Sequence, residues 1–147
     1  MEKTDNYNLS RFIEAQDCYG AYDMALKELK AGRKRSHWVW FVFPQLKGLG
    51  HSYNSRFYGI GSKDEARAFL ENDILRKRLV AVCCELKKQV KENGFTVHQI
   101  LGGIDAMKVK SCLTLFNEVL PNDIFDDCLK VCYNGEKDKR TLSLSQD

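Results

Sequence analysis

The segment Gly32-Arg33-Lys34-Arg35-Ser36-His37-Trp38-Val39-Trp40-Phe41-Val42-Phe43-Pro44-Gln45 decides how this chain is read. Three consecutive cations run through one serine and one histidine into an apolar, aromatic stretch. Read as a helix, the segment has Ser36 as N-cap, buries side chains all round, and ends at Pro44. Read as a strand, it sets Trp38, Trp40 and Val42 on one face against His37, Val39, Phe41 and Phe43 on the other. A lone strand has no partner here, because no other segment shows clear period-two patterning. The helical reading is therefore preferred. In either case, burial of the aromatic run holds Lys34, Ser36 and His37 at a boundary between core and solvent, a favourable place for an anion site.

The flanking sequence is helical almost throughout. Upstream, Leu9, Phe12, Ile13 and Gln16 follow Asn8, a plausible N-cap. Tyr22, Ala25, Leu26 and Leu29 form a second stripe, which ends at Gly32 in the left-handed position after a helix. Downstream, Ser62 and Glu65 have capping-box spacing, and Asn72-Asp73 ends that helix while capping the next. Leu75, Leu79, Val82, Cys83, Leu86 and Val90 make the clearest amphipathic stripe, stopped by Asn93-Gly94. Thr96 caps a short turn before Gly102-Gly103. A long helix through Val109, Cys112, Leu113, Phe116 and Val119 stops at Pro121, and a last one runs from Asp123 to Asn134-Gly135. Residues 136–147, charged and then alternating Ser and Leu, are expected to lie extended on the surface. The expected fold is mainly α, a single domain over residues 1–147 in an orthogonal array of about six to seven helices, with little or no sheet.

Composition bounds the function classes. The 147 residues are 44% hydrophobic and 29% charged, ordinary for one globular domain. No apolar stretch approaches the ~18 residues of a membrane span, and the polar start Met1-Glu2-Lys3-Thr4 does not resemble a secretory signal. A cytoplasmic location with reduced thiols at the six cysteines is therefore expected, and no membrane partner. Net charge is +3, yet the stretch from Lys27 to Lys47 holds six cations against Glu28 alone, leaving the remainder slightly acidic. Such a local patch suits a small anion better than a long polynucleotide backbone. An RNA or acidic protein docked on the patch is the alternative. Helix-end cations interacting with the macrodipole explain the same residues without any ligand.

Among candidate residues, Arg33, Lys34, Arg35 and Ser36 combine guanidinium forks with free backbone N–H groups, the chemistry that holds phosphate or carboxylate. Trp38 and Trp40 would wall such a site. His37 is the histidine placed to transfer a proton near neutrality. Cys128 and Cys132 lack the second pair of ligands that a zinc site needs. No Walker loop, nucleophile elbow or dinucleotide fingerprint is present, so no metal or cofactor is expected.

The string Gly32-x-Lys34-x-Ser36-His37-Trp38-x-Trp40-Phe41-x-Phe43-Pro44-Gln45, followed by Gly48-Leu49-Gly50-x-Ser52, resembles the family termed domain of unknown function 1810. The likeness extends upstream to Arg11-Phe12-x-x-Ala15-Gln16. Downstream it includes Glu65-Ala66, resumes at Gly103-x-Asp105-x-x-Lys108-x-x-Ser111-x-x-Thr114-Leu115-Phe116, and ends near Arg140-Thr141-Leu142. It implies a mainly helical fold and no established activity. Some members carry a calpastatin-like label, which does not suit a cored domain. Cys112 stands where a small residue such as serine is expected, a packing difference. The resemblance adds Gln45, Asp105 and Lys108 to the candidate ligand contacts, with Asp105 a second candidate for proton transfer. The reading that results is a small anionic or nucleotide-like ligand held beside Arg33–Trp40.

Overall fold

A computed structural model describes residues 6–146. The helices are α1 (Ser10–Asp17), α2 (Ala21–Lys30), α3 (Val39–Val42), α4 (Tyr53–Phe57), α5 (Lys63–Glu71), α6 (Asp73–Lys91), α7 (Val97–Leu101), α8 (Gly103–Val119), α9 (Ile124–Tyr133) and α10 (Lys139–Leu144), with a 3-10 turn over Cys18–Gly20. The mainly α fold expected from the sequence is found, divided into more and shorter pieces than six or seven. The only pairing of strand type among the described residues is an isolated parallel bridge between Leu46 and Ile60.

Two long helices carry the core. α6 packs against α9, α2 and α5, while α8 packs against α9, α5, α7 and α10. The stripe read from α6 is buried as its spacing requires, with Leu75, Leu79, Val82, Cys83 and Leu86 at most 1% exposed. α8 is buried almost all round in its second half, from Ser111 to Asn117. The aromatic centre runs Phe12–Phe69–Phe116–Phe125, each ring 5.2 to 5.5 Å from the next. Each such side chain stabilises the fold by roughly 1.5–3 kcal/mol relative to its exposed state.

The six cysteines are free. Cys83, Cys112 and Cys128 sit fully buried on α6, α8 and α9, where the Cys128 thiol donates to the Cys83 carbonyl at 3.3 Å. Burial pushes the Cys83 and Cys112 thiols well above the ordinary thiol range, so both remain protonated fillers of the core.

Local signals are honoured with instructive departures. Asn72 and Thr96 cap α6 and α7, and Gln99 completes a reciprocal box with Thr96. Ser62 caps α5 through the Glu65 N–H. The Glu65 carboxylate, however, accepts from the Gly61 N–H at 3.0 Å and pairs with Arg11 at 2.7 Å. Arg11 is 8% exposed and spends all its donors inward, on the carbonyls of Tyr7, Asn8, Phe57 and Gly59 and on Glu65. This guanidinium ties α1, the loop after α4 and α5 together. Asn8 does not cap α1: its backbone is left-handed at φ 53°, and Leu9 occupies the cap position without a side-chain bond.

Two further expectations are corrected. The segment expected to lie extended over 136–147 does not do so in its described part, 136–146, because Asp138 caps α10 and Thr141 is fully buried. The Asp138 N–H also donates to Thr114 on α8 at 2.9 Å, which brings α10 back onto the body. The central run is helical but only one turn long, and Ser36 is not its cap. Trp38 precedes α3 with φ −136°, and Phe43 leaves it at φ −121° just before Pro44. Trp38, Val39, Val42 and Phe43 are buried, while Trp40 and Phe41 are half-buried.

Gly32 is required twice over. Its φ is +78°, and a Cβ there would lie 2.9 Å from the Phe95 ring. Gly32→Ala is expected to cost about 2 kcal/mol by urea unfolding. The loss should shrink in a Phe95→Ala background, which removes the clash but not the backbone strain.

Candidate functional site

The site begins with a buried acid. Glu28 lies on the inward face of α2 with Ala25 and Leu29 and is 6% exposed. Its carboxylate faces the turn that follows α2. Oε1 accepts from the Arg35 N–H at 2.8 Å, the Ser36 N–H at 2.9 Å and the Trp38 indole N–H at 2.8 Å. Oε2 accepts from the Ser36 hydroxyl at 2.6 Å. Burial opposes the charge, but the Ser36 hydroxyl, the Arg35 N–H, the Trp38 indole and the Ser36 N–H together outweigh it and bring the carboxyl to about 2. The N–H groups of Arg35 and Ser36, expected to be free for an external anion, are instead taken by the protein's own Glu28 carboxylate. The same donors explain why α3 starts late: the N–H groups of Arg35 and Ser36 point at Glu28.

From this anchor, a line of charges leads to α8. The Lys34 N–H donates to the Ile100 carbonyl at 2.7 Å, and its ammonium meets Asp105 Oδ2 at 2.8 Å. Asp105 sits in the first turn of α8, where the helix dipole favours an acid. Its other oxygen lies 3.4 Å from Lys108 Nζ, and that ammonium stands 3.9 Å over the Trp40 ring. Glu28 therefore fixes the turn carrying Lys34, Lys34 fixes Asp105, and Asp105 holds Lys108 against Trp40.

Beside Lys108 a cavity of about 240 Å³ opens between α3, the loop after it, α8 and the start of α10. Trp40, Leu49, Ile104 and Met107 give it apolar walls, and Gln45, Lys108, Ser111, Asp138 and Arg140 its polar groups. Ile104 and Met107 are 76% and 68% exposed and form an apolar lip to the cavity. Arg140 reaches across to the Leu49 carbonyl at 3.3 Å. Asp138 is committed to Thr141, accepting from its N–H at 2.9 Å and its hydroxyl at 2.5 Å.

Of the residues singled out from the sequence, Lys34, Asp105, Lys108 and Trp40 come together, with Gln45 lining the cavity. Ser36 and Trp38 serve Glu28 and do not line it. Arg33, Arg35 and His37 are exposed, and among the described residues no hydrogen bond or ion pair holds the His37 side chain. Sequence reasoning missed Glu28, which looked like the lone countercharge of a basic stretch. It also missed Asp138 and Arg140, whose segment had been expected to lie extended. The available signal was Arg140-Thr141 in the family-like string.

Glu28→Gln retains the volume but turns an amide NH2 toward the donors. It should cost about 3 kcal/mol at neutral pH. Because the carboxyl titrates below its ordinary 4.5, the stabilisation is complete above that pH and is lost as pH falls toward about 2. Urea unfolding from pH 7 to ~2 should show that slope in the wild type and a flatter profile in Glu28→Gln.

Comparison with known proteins agrees with the fold. A crystal structure of the conserved hypothetical protein Rv1873 from Mycobacterium tuberculosis is similar, with 40% identity and a TM-score of 0.89. The likeness covers 96% of this chain and 98% of that one. No curated protein matches the chain. A family described as protein of unknown function, DUF1810, matches residues 6–145. With the mainly helical fold and the Trp38-to-Gln45 run in place, the chain belongs to the DUF1810 family.

Proposed function

We propose that the cavity between α3, α8 and α10 binds a small anionic, nucleotide-like ligand. The observation that carries this reading is the convergence of Lys108 and Arg140, from separate helices, on one 240 Å³ space with an indole wall. Two cations on a concave, mostly apolar site match a ligand with a planar body and one anionic group. Lys34 and Asp105 act as positioning residues that hold the Lys108 ammonium in place before the ligand arrives.

A second reading, docking of RNA or an acidic protein, is supported by Lys27, Lys30, Arg33 and Arg35. All four are exposed, and none is in an ion pair among the described residues. This face is built from the end of α2 and the turn after it, and none of the four lines the cavity.

The two readings separate by mutation. Mononucleotides at about 100 times Kd should raise the melting temperature by several degrees. Lys108→Ala and Arg140→Ala should abolish that shift, and the fourfold alanine variant of Lys27, Lys30, Arg33 and Arg35 should retain it. Binding of RNA with a steep salt dependence, lost only in the fourfold variant, would overturn the cavity in favour of docking.

A further inference from the structure

We infer that Gln45 reads the edge of a nucleobase-like heterocycle, so that the base of the ligand, and not only its anion, is recognised by the cavity. This rests on the cavity being a ligand site. Gln45 is 8% exposed, lines the cavity, and its side-chain carboxamide makes no hydrogen bond to any described residue. Its amide atoms are not sealed from solvent, so they open on the cavity, where a ligand could replace water as their partner. The other buried glutamines are all engaged. Gln16 donates to the Phe41 carbonyl and accepts from Arg78, and Gln89 donates to Lys30 and Glu85 and accepts from Asn93. Gln45 stands apart, and it is not loosely placed. Its carbonyl accepts from the Ile60 N–H at 2.9 Å, and the next residue's neighbour Lys47 donates to the Ile60 carbonyl at 2.8 Å. The backbone is pinned on both sides while the side chain is left for something in the cavity.

A carboxamide presents two N–H donors and an acceptor in one plane. Its complement is a ring with adjacent donor and acceptor atoms, as glutamine uses for adenine. The surroundings fit a flat ring, with apolar walls from Trp40, Leu49, Met107 and Ile104. The cavity, about 240 Å³ and open to solvent, has room for a fused heterocycle. Arg140 and Lys108 then meet the anionic substituent.

The test is calorimetric titration of wild-type protein and Gln45→Leu with adenosine monophosphate, uridine monophosphate, ribose phosphate and inorganic phosphate. Leucine retains much of the volume and removes only unpaired polar atoms, so the free variant should melt no lower than wild type. The expected result is nucleotide binding to the wild type that weakens at least about tenfold in Gln45→Leu. Binding of ribose phosphate should be equal in the two proteins. Equal nucleotide affinity in both proteins, or ribose phosphate binding as tightly as the nucleotides, would overturn the role of Gln45 and leave the anion site standing. No binding by wild type to any of the four would overturn the site itself. A variant that melts well below wild type would show that Gln45 serves packing and would also overturn the inference.

Discussion

The carboxylate of Glu28 is the contact on which the functional half of the molecule depends. Buried near the end of α2, it collects four donors from the turn that follows, beside the bond from the Lys34 N–H to the Ile100 carbonyl. Without that charge, the Trp38 indole would face a low-dielectric interior unpaired, and the N–H groups of Arg35 and Ser36 would lose their acceptor. Trp38 is 1% exposed, so its indole is both a core element and a polar obligation. Glu28 resolves the conflict and in doing so sets the path of the chain into α3. Lys34, two residues before Ser36, is thereby aimed at α8.

Arg11 plays the corresponding part at the opposite end of the same loop system. Its bonds to Phe57, Gly59 and Glu65 settle the segment after α4, and that segment presents Ile60 to Gln45 and Lys47. Gly59 permits this approach, because a Cβ there would lie 2.6 Å from the Ser55 carbonyl and 2.8 Å from Lys47. Two buried ions of opposite sign, each satisfied by backbone groups, thus hold the irregular third of the chain between them. Regular helices need no such device, since their backbone groups pair locally.

Much of the helical framework was legible because burial periodicity and caps are local properties. α5, α6, α7 and α9 follow from Ser62, Asn72, Thr96 and Asp123 together with their apolar stripes. The central run was legible as helical but not in length, since a partner seven to eight residues earlier diverts its first N–H groups. Asn8 misled because its side chain suits a cap, whereas its backbone adopts the left-handed turn that asparagine also tolerates. The 136–147 segment misled because six residues of polar helix have almost no periodic signal. What fixes α10 is a bond from Asp138 to Thr114, distant in sequence. The cluster around Lys108 was named through family likeness and spacing. Its line of contacts from Glu28 exists only in three dimensions.

The three thiols enclosed between α6, α8 and α9 have a further consequence. They lie on three separate helices around one interior, and none offers its sulfur to solvent in the folded state. An alkylating reagent can reach them only when those helices part, whereas Cys18 and Cys84 are available at once. The chain thus contains its own clock for breathing of the central bundle, with a fast phase from its skin and a slow phase gated by opening of its centre.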